Sequence, residues 1–272
     1  MSPLNAFHCP DGETRLIKTC LEYCPRTNGR CLSLPTLHEI GSDREWKGVA
    51  STTMLLNPTR MSYLKIVHDY AIDPFDRAFA LLGTRHHKKL EIVASKIIEL
   101  HAEIKIVGET SSIIDLLEPD ELKDGYWKLT DYKTWGSYAL AKVTGVKYNG
   151  DYELKQAGLQ LNDYRIKAQD IGFPISRLFI QCTVRDGGTF TARNNGIDYK
   201  MALIPIEIMD DDKVKEYFIT KEYALQTALK ENTLPELCPY DERWSGRRCK
   251  GFCDVFMFCP EGAKVNKIEY QE

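Results

Sequence analysis

The chain has 272 residues, 43% hydrophobic and 28% charged, with a formal net charge of −3. That length holds one large core or two modest ones, no apolar run approaches the ~20 residues of a membrane helix, and the charge gives no global attraction to nucleic acid. The opening Met-Ser-Pro-Leu-Asn-Ala-Phe-His-Cys has no basic head followed by an apolar stretch, so no secretory signal is expected and a reducing cytoplasm is the expected setting.

The first feature in chain order is Cys9, Cys20, Cys24 and Cys31, spaced C-x10-C-x3-C-x6-C, so residues 1–35 are expected to form a four-cysteine module. Four soft donors this close in sequence suit one metal centre, and a reducing compartment favours metal over disulfides. Ser51 to Arg60 leads into a helix through Met61 to Val67, which Asp73-Pro74 ends. From Phe75 to about Leu100, Phe79, Leu82, Leu90, Val93, Ile97 and Leu100 recur at helical spacing. One or two amphipathic helices are expected there, with Gly83 as a point of close approach. Glu103 to Val107 alternates as a strand, Ser112 to Leu117 is a second, and Tyr126 to Lys133 is a third after a polar segment.

Tyr152 to Ile171 reads as a helix whose apolar face is Leu154, Leu159, Leu161, Tyr164 and Ile166. Strands follow at Arg177 to Val184, with Cys182 as a small core residue, and at Met201 to Met209, where Pro205 lacks an N–H and marks a sheet edge. A helix from Asp212 to about Lys230 begins at a run of aspartates, which suit its N-terminal dipole. The order predicts an α/β fold, a central mixed sheet flanked by helices. Within residues 236–262, Cys238, Cys249, Cys253 and Cys259 repeat the earlier pattern as C-x10-C-x3-C-x5-C, and both groups open Cys-Pro.

Asp115 and Asp131 stand on adjoining predicted strands, and Lys133 follows the second by two residues. A strand period of two turns Asp131 and Lys133 to one face, and Asp115 can meet them across the hairpin. Carboxylates are hard donors for Mg2+ or Mn2+, and a lysine stabilises charge developing on a phosphate, the equipment of phosphodiester hydrolysis. Alone, Asp-x-Lys is common on half-exposed strands. Its weight comes from Gly83-x3-His87-x2-Leu90-Glu91 on the preceding helix and Gln160-x3-Tyr164 on the following one, a pair one turn apart on a single face.

In order and spacing these pieces resemble the RecB-like branch of the PD-(D/E)XK nuclease superfamily, over about Ser51 to Lys230. The resemblance implies a restriction-endonuclease-like core within residues 45–232. It implies His87, Asp115 and Asp131 as ligands of a Mg2+ or Mn2+ ion, with the Tyr132 carbonyl beside them, and Lys133 as the catalytic lysine. Gln160 and Tyr164 match the pair that holds the DNA strand near the metal. His86 stays open as the alternative to His87, and Glu91, one turn beyond His87, is expected to be a surface residue or to stand behind the ligands, with support of His87 as the alternative.

The tail Cys249-x3-Cys253-x5-Cys259-Pro260 is similar to that of iron–sulfur nucleases in this branch, including CRISPR-associated and AddB-like exonucleases, in which a fourth cysteine precedes the core. Here Asn57-Pro58-Thr59-Arg60 stands at that place, so the fourth thiolate falls to Cys238, nearest in sequence, or to an upstream cysteine such as Cys31. The x3 spacing, where x2 is commoner, leaves a 4Fe-4S cluster and zinc both open at the C-terminal group. Zinc is expected at Cys9, Cys20, Cys24 and Cys31, which have no counterpart in the branch. The implied function is a metal-dependent DNA nuclease, an exonuclease on single-stranded DNA or duplex ends, in a recombination, phage-replication or CRISPR-adaptation setting. Arg243, Arg247, Arg248 and Lys250 are expected to follow the DNA backbone. The rival is a non-catalytic, cysteine-rich nucleic-acid-binding protein built on a relic nuclease core.

Overall fold

The alternating apolar stretches after Leu100 assemble into one five-stranded sheet in the computed structural model, which describes residues 3–42, 45–147 and 150–270. Met1 and Ser2, part of the N-terminal stretch discussed above, lie outside the described residues. In chain order the elements are β1 (Leu4–His8), β2 (Thr14–Leu16), α1 (Ile17–Glu22), α2 (Leu34–Gly41), α3 (Thr52–Leu55), α4 (Thr59–Val67), β3 (Tyr70–Ile72) and α5 (Ala78–Ala94). Then come β4 (His101–Val107), β5 (Ser111–Pro119), β6 (Trp127–Trp135), α6 (Ser137–Val143), α7 (Asp151–Asp170), β7 (Ile175–Val184), α8 (Phe190–Asn194) and β8 (Met201–Ile206). The chain ends with α9 (Asp211–Glu231), α10 (Arg247–Gly251) and α11 (Pro260–Asn266). No described helix is long and apolar enough to cross a membrane.

The chain divides into two compact units, one of residues 50–56 and 82–220, the other of residues 1–49, 57–81 and 221–272. The first holds the sheet β4-β5-β6-β7-β8, antiparallel throughout except for the parallel pair β6 and β7. A parallel pair needs a long crossover, and α6 and α7 supply it. Ile114, Leu117, Leu129, Leu161, Ile180 and Cys182 form the fully buried centre of the core on the α7 side, and a smaller cluster of Ala94, Leu116 and Tyr132 joins α5 to the sheet. With helices against a mixed sheet, the α/β class expected from the sequence is present. Pro205 lies on the edge strand β8, opposite Phe179.

Two elements differ from expectation. The helix expected to run to about Leu100 ends at Ala94, and Phe79, Leu82, Val93 and Ile97 of its expected inner stripe are exposed. Its sheet-facing side instead carries Leu90, Ala94 and the two histidines His86 and His87, so the apolar stripe is left outward. The expected strand to Met209 stops at Ile206 because α7 takes over the next backbone groups. Asn162 donates to the carbonyl of Glu207, at 2.9 Å, and accepts from the N–H of Met209, also at 2.9 Å.

The second unit holds a three-stranded sheet, order β2-β1-β3, in which β1 is antiparallel to β2 and parallel to β3. Leu4, Phe7, Ile17, Leu37, Leu64 and Ile72 are buried in this unit. Both cysteine groups belong to it.

Asn162 is fully buried and also accepts from Arg165 Nε at 3.2 Å, so Asn162→Leu takes this partner from that buried donor, from the part-buried Glu207 carbonyl and from the part-buried Met209 N–H. Such groups cost about 1–3 kcal/mol each, and denaturant unfolding should show a loss of roughly 2–5 kcal/mol. A loss under about 0.5 kcal/mol would mean that Asn162 does not fix the path after β8.

Candidate functional site

The site begins where two strands part. The pairing of β5 with β6 runs from Pro119↔Trp127 to Leu116↔Thr130 and then stops, because the Asp115 carboxylate enters the ladder. Its Oδ2 accepts the backbone N–H of Tyr132 at 2.7 Å. Beyond this point β6 pairs with β7 as far as Trp135, and β5 pairs with β4 as far as Ser111. The register sets Asp131 across from Asp115, and both are buried.

Around the parting the predicted residues come together. Asp115 Oδ1 lies 3.3 Å from His87 Nδ1, a partner supplied by α5. Lys133 Nζ lies 2.7 Å from Asp131 Oδ2. From α7, Gln160 donates to Asp131 Oδ1 at 3.2 Å and to the Tyr164 hydroxyl at 3.0 Å. Gly83 brings α5 close to β6: a Cβ there would stand 3.4 Å from the Thr134 hydroxyl. His86 turns to the Thr183 hydroxyl at 3.5 Å, so of the two neighbouring histidines it is His87 that meets the carboxylates. Glu91 pairs with Lys88 at 2.9 Å.

Glu103 is the functional candidate that the sequence pattern did not reveal. Donor atoms of His87, Glu103 and Asp115 all lie within 4.8 Å of one another, and no other such trio of His, Cys, Asp or Glu occurs among the described residues. Asp131 stands outside the trio, held by Lys133 and Gln160. The register of β4 and β5 sets Glu103 opposite Asp115, between the pairs Ala102↔Leu116 and Ile104↔Ile114. Both strands change face there: Ile104 and Ile114 pack in the larger core, Ala102 and Leu116 in the smaller. Glu103 absorbs the change with a left-handed φ of 51°, a conformation that costs a non-glycine residue about 1–3 kcal/mol. The available signal was its hairpin position opposite Asp115, not its place in an alternating run.

The charges are crowded. Burial pushes the Asp131 carboxyl up, Asp115 adds to this, and Lys133 opposes it. Burial also raises Glu103, with Asp115 and Glu91 contributing. His87 is raised by its hydrogen bond to Asp115, against the effect of burial. Burial lifts the Tyr132 phenol to about 12, and it raises Tyr164 as well, with Asp131 adding to the shift. Three buried or half-buried carboxylates and an imidazole make an oxygen and nitrogen donor set that fits a divalent cation such as Mn2+ or Mg2+, with the Lys133 ammonium beside it as a neighbouring charge.

Elsewhere, Cys238, Cys249, Cys253 and Cys259 all line one cavity, and Cys31 does not. Pro58 and Arg60, from the segment that carries no cysteine, line it too, with Arg60 Nη1 3.7 Å from Cys259 Sγ. Gly262 closes the wall, where a Cβ would come within 2.4 Å of the Phe256 carbonyl. Burial raises the thiols of Cys238 and Cys249 and pushes Cys253 up to about 11. Four sulfur donors converging on one space fit a thiolate-bound metal centre, whose charge would ionise these thiols. Arg248 is buried and stacks 4.1 Å over the Trp244 ring, and Arg243 pairs with Glu261. These two residues therefore do not form the solvent-facing DNA track expected of them. In the N-terminal group, Cys9 lies in the β1–β2 turn and Cys20 on α1, and the Cys20 thiol is raised by burial and then by Cys24, Cys9 and Cys31. No described cysteine is paired in a disulfide.

No family model matches the chain, and no curated protein does. Among solved structures it is similar to the crystal structure of SSO0001, with a TM-score of 0.48 and 15% identity over 89% of this chain and 95% of that one.

Glu103→Gly removes the left-handed strain and the carboxylate together. Calorimetric titration should show Mn2+ affinity falling at least ~10-fold. Unfolding of the metal-free protein should become no easier, and harder by up to ~1 kcal/mol. Undiminished Mn2+ affinity would remove Glu103 from the site.

Proposed function

We propose that this chain is a metal-dependent DNA nuclease of the PD-(D/E)XK kind, RecB-like in its site, that cuts as an exonuclease on single strands or duplex ends. The observation that carries this reading is the parting of β5 from β6, around which Asp115, Asp131, Lys133, His87 and the Gln160–Tyr164 pair gather. Asp115 and His87, with Asp131 or Glu103, would hold the divalent cation. When bound, such an ion polarises a phosphate oxygen and lowers the pKa of water.

The chain's own groups supply the rest. Lys133 is a cation held 2.7 Å from Asp131, with its side chain 24% exposed, so it can reach a phosphate while its stem stays fixed. There it would stabilise the negative charge that develops as the phosphodiester is attacked. Gln160 is oriented by Asp131 and Tyr164 together, which suits a group that positions a strand rather than one that reacts. The proposed cofactors are Mg2+ or Mn2+ at this site, a 4Fe-4S cluster or zinc at Cys238, Cys249, Cys253 and Cys259, and zinc at Cys9, Cys20, Cys24 and Cys31.

The test is cleavage of end-labelled single- and double-stranded DNA by anaerobically purified protein with Mn2+, Mg2+ or a chelator. Wild type should release product only with metal, and Lys133→Ala should lose at least ~100-fold in rate while keeping its Mn2+ affinity. Intact DNA in every lane, from folded protein with filled cysteine sites, would overturn the nuclease in favour of a binding protein.

A further inference from the structure

The C-terminal cavity carries an observation that four neutral thiols do not explain. Three guanidiniums, those of Arg60, Arg243 and Arg248, line it beside the four cysteines. Arg248 is only 9% exposed, and its Nε and Nη1 have no hydrogen-bond partner; the Nε of Arg243 is likewise buried and unpartnered. Burying a guanidinium with donors unmet is costly unless an anion meets it. Arg60 is fixed by donating from Nε to the carbonyls of Pro235, at 2.8 Å, and Glu236, at 3.1 Å, which aims Nη1 at Cys259 Sγ. Among the described residues, Arg243 alone of the three has a carboxylate partner, Glu261 at 3.2 Å.

The sulfur spacing points the same way. Among the described residues no three cysteine sulfurs lie within 4.8 Å of one another. Four thiolates on one zinc, with bonds near 2.3 Å, would sit about 3.8 Å apart. An iron–sulfur cube holds its thiolates further apart because the cube itself stands between them. The N-terminal sulfurs are also spaced beyond that limit, so spacing alone does not decide the occupant, and the unmet guanidiniums require only that it be anionic, as four thiolates on either centre are.

We propose that, around the 4Fe-4S cluster read above at Cys238, Cys249, Cys253 and Cys259, Arg60, Arg243 and Arg248 form a cationic, hydrogen-bonding shell that raises its reduction potential. The proposal rests on the cofactor reading above but not on nuclease activity. With four thiolates the oxidised cluster carries a net charge of about −2, and one electron from a low-potential one-electron donor takes it to about −3 with no bond made or broken. Positive charge and hydrogen bonds at the sulfurs stabilise the reduced form more, so the shell favours uptake of the electron. The cluster is then a one-electron centre and not solely a clamp on the fold.

The test uses full-length protein purified without oxygen. Iron and acid-labile sulfide should come to about four each per chain for this group, and Cys238→Ala should lose them. Dithionite should bleach the visible band and give a low-spin paramagnetic signal. In a redox titration Arg248→Gln should shift the reduction equilibrium at least ~10-fold toward the oxidised form, about 59 mV for one electron, and Arg248→Lys should recover part of it. If Arg248→Gln fails to hold the cluster, the half-buried Arg60→Gln carries the same expected shift. Zinc without labile sulfide at these cysteines would overturn the cluster. A filled cluster whose potential is unmoved in Arg248→Gln and Arg60→Gln would overturn the shell. DNA cleavage enters neither outcome.

Discussion

One hydrogen bond organises the larger unit: the N–H of Tyr132 donates to the carboxylate of Asp115, where a strand partner's carbonyl would ordinarily accept. A charge-assisted bond of this kind is stronger than the ladder bond it replaces, so breaking the ladder costs little. Its geometric consequence is large. The sheet opens between β5 and β6 while each strand keeps its other neighbour, so the opening is rigid on both sides. Side chains from α5 and α7, which pack through separate clusters, can then meet at one point. A site carried on paired strands and buried helices is held more tightly than one carried on loops.

The same opening explains the cost stored nearby. Glu103 sits in a left-handed conformation opposite Asp115, and the carboxylates of Glu103, Asp115 and Asp131 crowd one another in a half-buried space. Neither feature stabilises the fold by itself. Both become favourable when a cation is shared among the oxygens, the usual reason for strain and like charge to be kept at one place. The C-terminal cavity shows the opposite sign, with cationic groups buried around sulfurs. In each case an unbalanced charge in the protein is the ground for the proposed occupant.

Much of this was legible in the sequence, and the remainder failed for physical reasons. Asp115, Asp131, Lys133 and the Gln160–Tyr164 pair were singled out by the resemblance to RecB-like nucleases; a strand period of two and a helical spacing of one turn showed only that they could share faces. The α5 stripe misled because an amphipathic helix ordinarily turns its apolar face inward, whereas this one presents His86 and His87 to the sheet. Glu103 was hidden because a left-handed residue breaks the alternation from which facing is inferred. Arg248 read as part of a solvated basic run, since sequence cannot separate a guanidinium facing thiols from one facing water. The strands β2 and β3, three residues each, are too short to carry a period at all.

The claim at the centre of this account is that the parting of β5 from β6 creates a cation site. Anomalous diffraction from crystals grown with Mn2+ tests it most directly. The predicted result is a manganese peak at the parting, ligated by Asp115, His87 and Glu103, with the Tyr132 N–H still bonded to Asp115. A manganese ion bound only elsewhere, or none with Asp115 and His87 unchanged at saturating Mn2+, would contradict it.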